Sequence, residues 1–127
     1  MDAAKFLQTV AAEPWQWGVN DCCSILDRWL VLRGVQSPKG HFGWHYQSEH
    51  EAQAIIKAQG GLIPMLRKGL GGVGLIRIQN PNVGDVGLVI AGGVGCAAVK
   101  TGKLWQSRSE SGRICAAGHV EAWCVNA

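Results

Sequence analysis

The stretch Trp15-Gln-Trp-Gly-Val-Asn-Asp-Cys-Cys23 has the residue types and spacing of a thiol-based active site. Asp21 is a favoured N-cap, because its carboxylate accepts the free backbone N–H groups of a helix's first turn. Cys22 then takes the first helical position, where the partial positive charge of the helix terminus favours a thiolate. Apolar residues follow on the same helical face, at Ile25, Leu26 and Trp29. The pattern predicts a nucleophilic cysteine at position 22.

The thiol of Cys22 has a second interpretation, because a cysteine on an apolar helix face usually belongs to the core. The helix terminus lowers the pKa of such a thiol, whereas burial raises it. We expect the two effects to offset each other, so that Cys22 is mainly protonated near neutral pH. Cys23 aligns with Asp27 and is expected to point to the side of the helix.

Length and composition predict a single domain over residues 1–127 and exclude several classes of function. The chain has 47% apolar residues, a charged fraction of 17% and a net charge of +3. The sequence has no basic tail or patch, so it does not indicate a nucleic-acid partner. No apolar run approaches the roughly 20 residues that a membrane span requires. The first residues lack the pattern of a signal peptide, which favours synthesis in the cytoplasm.

The five cysteines, at positions 22, 23, 96, 115 and 124, favour free thiols over disulfides or a metal site. Their number is odd and their spacing irregular, so a disulfide framework is not indicated. The sequence also lacks a Cys-x-x-Cys pair and a histidine pair at helical spacing. This spacing disfavours a cysteine-ligated metal or cluster, and we expect neither a metal nor a cofactor.

Hydrophobic periodicity predicts helices in the first half of the chain and strands in the second. Helices are expected at residues 2–12, 22–33, 49–58 and 62–68, the third opened by a capping box at Ser48. Strands are expected at 75–78, 86–91, 94–99, 104–106 and 119–125. Residues 35–46 are predicted to be a loop, and its residues 37–46 are predicted to contact another protein through their aromatics and glycines. The fold class is therefore α+β, with N-terminal helices packed on a small antiparallel sheet.

Several short motifs together resemble the NlpC-type cysteine peptidases. They are Pro14-Trp15-x-Trp17-Gly18-x-x-Asp21-Cys22, Gly60-Gly61-Leu62, Gly84-Asp85-Val86 and the terminal Ala122-Trp123. The family consists of compact papain-like domains that cut peptide cross-links in bacterial cell walls. The motifs are most similar to a branch that bacteriophages encode among their tail genes.

The resemblance implies a papain-like fold and a place in the virion tail after synthesis in the bacterial host cytoplasm. It also implies other tail or hub proteins as partners. An active member would take a peptidoglycan peptide as substrate, with Cys22 as the nucleophile.

The sequence departs from the family at the general base, a histidine in a His-Val-Gly segment. The matching segment is Gly93-Val94-Gly95, so Gly93 takes the place of the histidine. A thiol with a pKa of about 8.5 needs such a base to ionise readily at neutral pH. The family's third catalytic residue, which orients the histidine, falls near Gln106. His119, followed by Val120, is the best candidate for a relocated base.

Two functions follow from these observations. The first is a phage-tail structural or assembly protein that keeps the peptidase-like fold with a degenerate site. The second is a working cysteine endopeptidase with Cys22 as nucleophile, His119 as base and Gln106 as the third residue. Loss of the base favours the first, because a nucleophile without its base loses most of its rate. The remaining histidines, His41, His45 and His50, are weaker candidates for a base.

Overall fold

A computed structural model of the chain describes residues 1–125 and places five helices before six strands. The helices are α1 (Ala3–Ala11), α2 (Cys22–Leu32), α3 (Pro38–Phe42), α4 (Glu49–Ala58) and α5 (Leu62–Gly72). The strands are β1 (Ile76–Arg77), β2 (Val86–Ala91), β3 (Val94–Lys100), β4 (Trp105–Ser109), β5 (Gly112–Ala116) and β6 (Glu121–Cys124).

The strands form one antiparallel sheet in the order β1-β6-β2-β3-β4-β5. This arrangement confirms the predicted α+β class, with N-terminal helices on an antiparallel sheet. Alternate strand residues face opposite ways, as the strand period of two requires. Leu88 and Val99 pack in a core cluster with residues of α1 and α2, whereas Val89 and Ala98 pack in a second cluster around Trp105.

The sheet opens between β3 and β4, which pair at two positions, Val99 with Gln106 and Lys100 with Trp105. The neighbouring hairpins are longer, since β2 pairs with β3 at six positions and β4 with β5 at five. The first residues of β3 and the last residues of β4 therefore border a gap. The N-terminus of α2 fills this gap, with Cys22 packed against both core clusters.

The α2 helix is tied to the start of β2 by buried hydrogen bonds. Trp29 is 2% exposed, and its indole N–H donates to the carbonyl of Gly84 at 2.8 Å. The buried carboxylate of Asp85 accepts from the N–H groups of Asn82 and Val125, both at 2.8 Å. Gly84-Asp85 thus joins the central helix to the first long strand and to the end of the chain.

The segment predicted to be a loop, residues 35–46, contains the short helix α3. Ser37 caps it by accepting from the Gly40 N–H at 2.9 Å, and Pro38 occupies the first turn, where its missing N–H is not needed. Asp27 of α2 accepts from the Ser37 hydroxyl, which holds α3 in place. Trp44 and Tyr46 of this segment are both 7% exposed and pack inside the fold, and the contact of the segment with a partner protein stays a prediction.

Two predictions for the ends of elements were also incorrect. Helix α5 continues to Gly72 rather than stopping near Lys68, because its glycines allow close packing on aromatic side chains of residues 42–44. The strand expected from His119 begins only at Glu121, whose buried carboxylate forms ion pairs with Arg67 and Arg77, each at 2.8 Å. Strand β5 was not predicted at all.

Within residues 1–125, no helix has both the length and the hydropathy needed to cross a bilayer.

The glycines of α5 provide a test of this packing. Gly69 is buried, and a Cβ there would lie 2.9 Å from Trp44 Cζ3, whereas a Cβ at Gly71 would meet nothing within 4 Å. Gly71→Ala should stabilise the fold by about 0.5–1 kcal/mol through helix propensity. Gly69→Ala should destabilise it by about 1–3 kcal/mol, because overpacking outweighs that gain. Urea unfolding of the two variants measures both effects, and equal stabilities would contradict the account.

Candidate functional site

The loop before α2 is held in place by its own side chains. The buried Asn20 accepts from the Gln16 N–H and donates to the Pro14 carbonyl, both at 2.7 Å. Glu13 binds Arg28 of α2 through both carboxylate oxygens, at 2.8 and 2.9 Å. These contacts fold the loop back against α2.

The carboxylate of Asp21 is buried and receives four hydrogen bonds. One oxygen accepts from the Gly18 N–H at 2.7 Å and the Ser24 hydroxyl at 2.8 Å. The other accepts from the Ser24 N–H at 3.2 Å and the Tyr46 hydroxyl at 2.5 Å. Burial and nearby negative charge raise the pKa of Tyr46, so its phenol remains a donor. The predicted N-cap role of Asp21 is confirmed.

A positive charge stands beside this carboxylate. Lys39 donates from Nζ to the Ser24 hydroxyl oxygen at 2.7 Å and to the Gly18 carbonyl at 3.1 Å. Its Nζ also lies 4.5 Å from the centroid of the Tyr46 ring, in cation–π geometry. Lys39 thus offsets part of the charge of the buried Asp21.

Cys22, Cys23 and Cys96 line one cavity of about 320 Å³ in the gap between β3 and β4, and we call it the thiol cavity. Its walls are mainly apolar and aromatic, and include Trp15, Trp17, Tyr46, Ile56, Leu62, Met65, Val94 and Ile114. Two exposed carboxylates, Glu49 and Glu110, stand at its edge. Apolar walls with a few polar groups are typical of small-molecule and peptide sites.

Arg108 of β4 also lines the thiol cavity, and it is 7% exposed. Its Nη1 donates to the carbonyls of Val10 and Glu13, both at 2.9 Å. Its guanidinium lies 5.3 Å from the centroid of the Trp15 ring. Arg108 therefore fixes the Trp15 wall of the cavity to the end of α1, a role that the sequence pattern did not indicate.

The three thiols interact with one another. The pKa of Cys22 lies well below its usual range, because the thiols of Cys23 and Cys96 donate hydrogen bonds to its sulfur. Burial opposes this effect, and the backbone N–H of Ala97 adds to it. The pKa values of Cys23 and Cys96 are raised, because each thiol is held as a donor to Cys22 and is buried.

This lowering of the pKa differs from the expectation that the helix terminus and burial offset each other at Cys22. The neighbouring thiols add a third effect, and one of them belongs to Cys96. Cys96 is far from Cys22 in the sequence, and only the pairing of β3 with its neighbours brings the two together. Cys23 also lines the thiol cavity and packs against the helix-side core cluster.

All four histidines lie within residues 1–125, and none lines the thiol cavity. His119 lies in the exposed segment before β6, with its ring 5.4 Å from that of Trp105. His45 lines a neighbouring cleft with Trp17 and Lys39. His41 packs on Phe42, and His50 is exposed on α4.

The other two positions that the sequence singled out are also outside the cavity lining. Gly93 lies in the exposed turn between β2 and β3, with φ of +79°. The β3 residues that border the thiol cavity are instead Val94, Gly95 and Cys96. Gln106 accepts a hydrogen bond from Arg113 of β5, across the β4–β5 hairpin. Of the three predicted catalytic residues, only Cys22 lines this cavity.

Among residues 1–125, no three histidine, cysteine, aspartate or glutamate side chains are placed so that they could hold a metal ion.

Residues 2–125 match the family described as "Domain of unknown function (DUF6950)", and the chain belongs to that family. Searches of curated proteins and of solved structures gave no match.

Two glycines with the same backbone conformation test how the loop is fixed to Asp21. Gly18 and Gly34 have φ of +82° and +83°, but only at Gly18 is there a close neighbour: a Cβ there would lie 2.1 Å from the Tyr46 carbonyl oxygen. Alanine at either position should cost about 1–2 kcal/mol of left-handed strain. Gly18→Ala should cost about 1–3 kcal/mol more, because of the clash.

The free energy of unfolding of both variants, from urea titrations followed by tryptophan fluorescence, measures this difference. Equal losses of stability in Gly18→Ala and Gly34→Ala would contradict the packing described.

Proposed function

We propose that this member of the family is a bacteriophage tail protein, acting at the tail tip or in assembly, with an NlpC-like, papain-like fold and a degenerate catalytic site. The main support for a degenerate site is that no histidine is among the residues lining the thiol cavity. On this proposal the protein is made in the bacterial host cytoplasm and joins the virion. Its partners are other tail or hub proteins.

Peptide hydrolysis by a thiol needs two proton transfers, one from the nucleophile and one to the leaving amine. The thiol cavity favours the first transfer, loss of the proton from the nucleophile, because the neighbouring thiols lower the pKa of Cys22. It does not supply the second, because the raised pKa values of Cys23 and Cys96 make them poor acids. The Asp21 carboxylate is occupied by four donors, and Glu49 and Glu110 are exposed.

The placement of the motif residues supports the proposal further. Gly18 and Asp21 shape the turn before α2, and Gly84 and Asp85 fix the start of β2. Each therefore has a role in architecture that does not depend on catalysis. A chain can keep these motifs for the fold alone, which is what a tail component with a degenerate site requires.

A second candidate is an active cysteine endopeptidase that cuts peptidoglycan cross-links during phage entry. The lowered pKa of Cys22, beside a cavity with apolar and aromatic walls, favours it. His119 would then have to leave its contact with Trp105 to act as the base.

Hydrolysis assays separate the two candidates. The purified full chain, incubated with cross-linked peptidoglycan peptides, should release no more free amine than Cys22→Ala does. In a phage that carries the gene, deletion should prevent assembly of complete tails, and a Cys22→Ala copy should restore it.

Cleavage that requires Cys22 would contradict the degenerate site. If His119→Ala also abolished that cleavage, the relocated-base peptidase would be established. If the deletion strain still made complete, infectious tails, the proposed role in tail assembly would be contradicted.

A further inference from the structure

Cys96 is a buried thiol that neither assembly nor hydrolysis uses. It lies on β3, is 6% exposed and lines the thiol cavity with Cys22 and Cys23. Cys22 packs against the core cluster to which Cys96 belongs. Two facing elements, α2 and β3, therefore bring three sulfurs to one place.

Geometry distinguishes the two possible sulfur partners of Cys22. Cys23 is its neighbour in the first turn of α2, where consecutive side chains point about 100° apart. A disulfide between them would distort the backbone, and such strained disulfides are disfavoured. Cys96 belongs to β3 rather than to α2, so a bond between these two sulfurs leaves the helical turn intact.

We propose that Cys22 and Cys96 are a thiol pair that peroxide oxidises to a disulfide. This chemistry is additional to the proposed function and does not depend on it. Cys22 is the residue that peroxide oxidises first, because it is partly exposed at the cavity, whereas Cys96 is buried.

The reaction has two steps, and hydrogen peroxide is the oxidant. The Cys22 thiolate attacks one peroxide oxygen, so that an S–O bond forms, the O–O bond breaks and the hydroxide released takes up a proton to become water. The sulfur of Cys96 then attacks the sulfenic sulfur of Cys22, the S–O bond breaks and the leaving hydroxide takes the proton of Cys96. Two thiols lose two electrons in total, and one peroxide becomes two waters.

Electrostatics favours this order of events. The pKa of Cys22 is lowered by its donors, which keeps the attacking thiolate available. The pKa of Cys96 is raised partly by the negative charge on Cys22. Once Cys22 carries a neutral sulfenic acid, that repulsion is gone, and Cys96 ionises more readily for the second step.

Peptide mapping under non-reducing conditions tests the proposal on the full chain. Trypsin places Cys22 and Cys23 in residues 6–28, Cys96 in residues 78–100, and the other two cysteines in residues 114–127. The reduced protein is treated with stoichiometric hydrogen peroxide, and remaining thiols are blocked with N-ethylmaleimide. The expected product is residues 6–28 linked to 78–100, with loss of two hydrogens.

Variants identify the sulfur involved. The link should persist in Cys23→Ala, the matched control, and be absent from Cys22→Ala and Cys96→Ala. In Cys96→Ala, dimedone should trap a sulfenic acid on Cys22. A Cys22–Cys23 link in the wild type, a link that survives in Cys22→Ala, or a wild type that keeps both thiols would each overturn the proposal. Fragmentation of the linked wild-type peptides assigns the bond to Cys22 or to Cys23 without a variant, so misfolding of a variant does not prevent the test.

Discussion

The structure depends on one buried carboxylate, that of Asp21. Leaving a buried charge without partners costs several kcal/mol, so its surroundings must supply donors. Gly18, Ser24 and Tyr46 supply four, and Lys39 supplies a positive charge through Ser24. These residues come from the loop before α2, from α2 itself and from the segment that contains α3. Asp21 therefore fixes the relative positions of three parts of the chain and, by capping α2, the position of Cys22.

The position of Cys22 acquires its chemistry from the sheet. Where β3 and β4 separate, the end of α2 enters the gap and meets Cys96 and the N–H of Ala97. The donors to the Cys22 sulfur are thus two thiols and a peptide group, and the lining of the cavity contains no imidazole. Such a site stabilises a thiolate without providing an acid for a leaving amine. In the function that we propose, this separation of nucleophile from acid is the physical basis for a degenerate hydrolytic site.

The sequence predicted those features that depend on local patterns. Residue spacing and intrinsic propensity, which depend only on residues close in the sequence, are enough to predict several of them. These are the N-cap Asp21, α2, the capping box at Ser48, and strands β2 and β3. The contact of Cys96 with Cys22 was not predictable, because it depends on where β3 and β4 separate. Strand β5 was not predicted, because it is short and its apolar and polar residues, with a glycine at the start, do not form a clear strand pattern. The burial of Trp44 was not predictable, because it depends on Gly69 of α5, which leaves room for the ring and is distant in the sequence.

The central claim, that the thiols of Cys23 and Cys96 rather than a histidine lower the pKa of Cys22, is tested most directly by the pH dependence of Cys22 alkylation. Iodoacetamide labelling of residues 6–28, resolved between Cys22 and Cys23 by fragmentation, gives the apparent pKa of Cys22. The account predicts a wild-type pKa below the usual value of about 8.5. Removing a donor to the thiolate should raise it, so Cys96→Ala should shift the profile to higher pH, whereas His119→Ala should leave it unchanged. A wild-type pKa at or above 8.5, or a profile that moves with His119 and not with Cys96, would contradict the account.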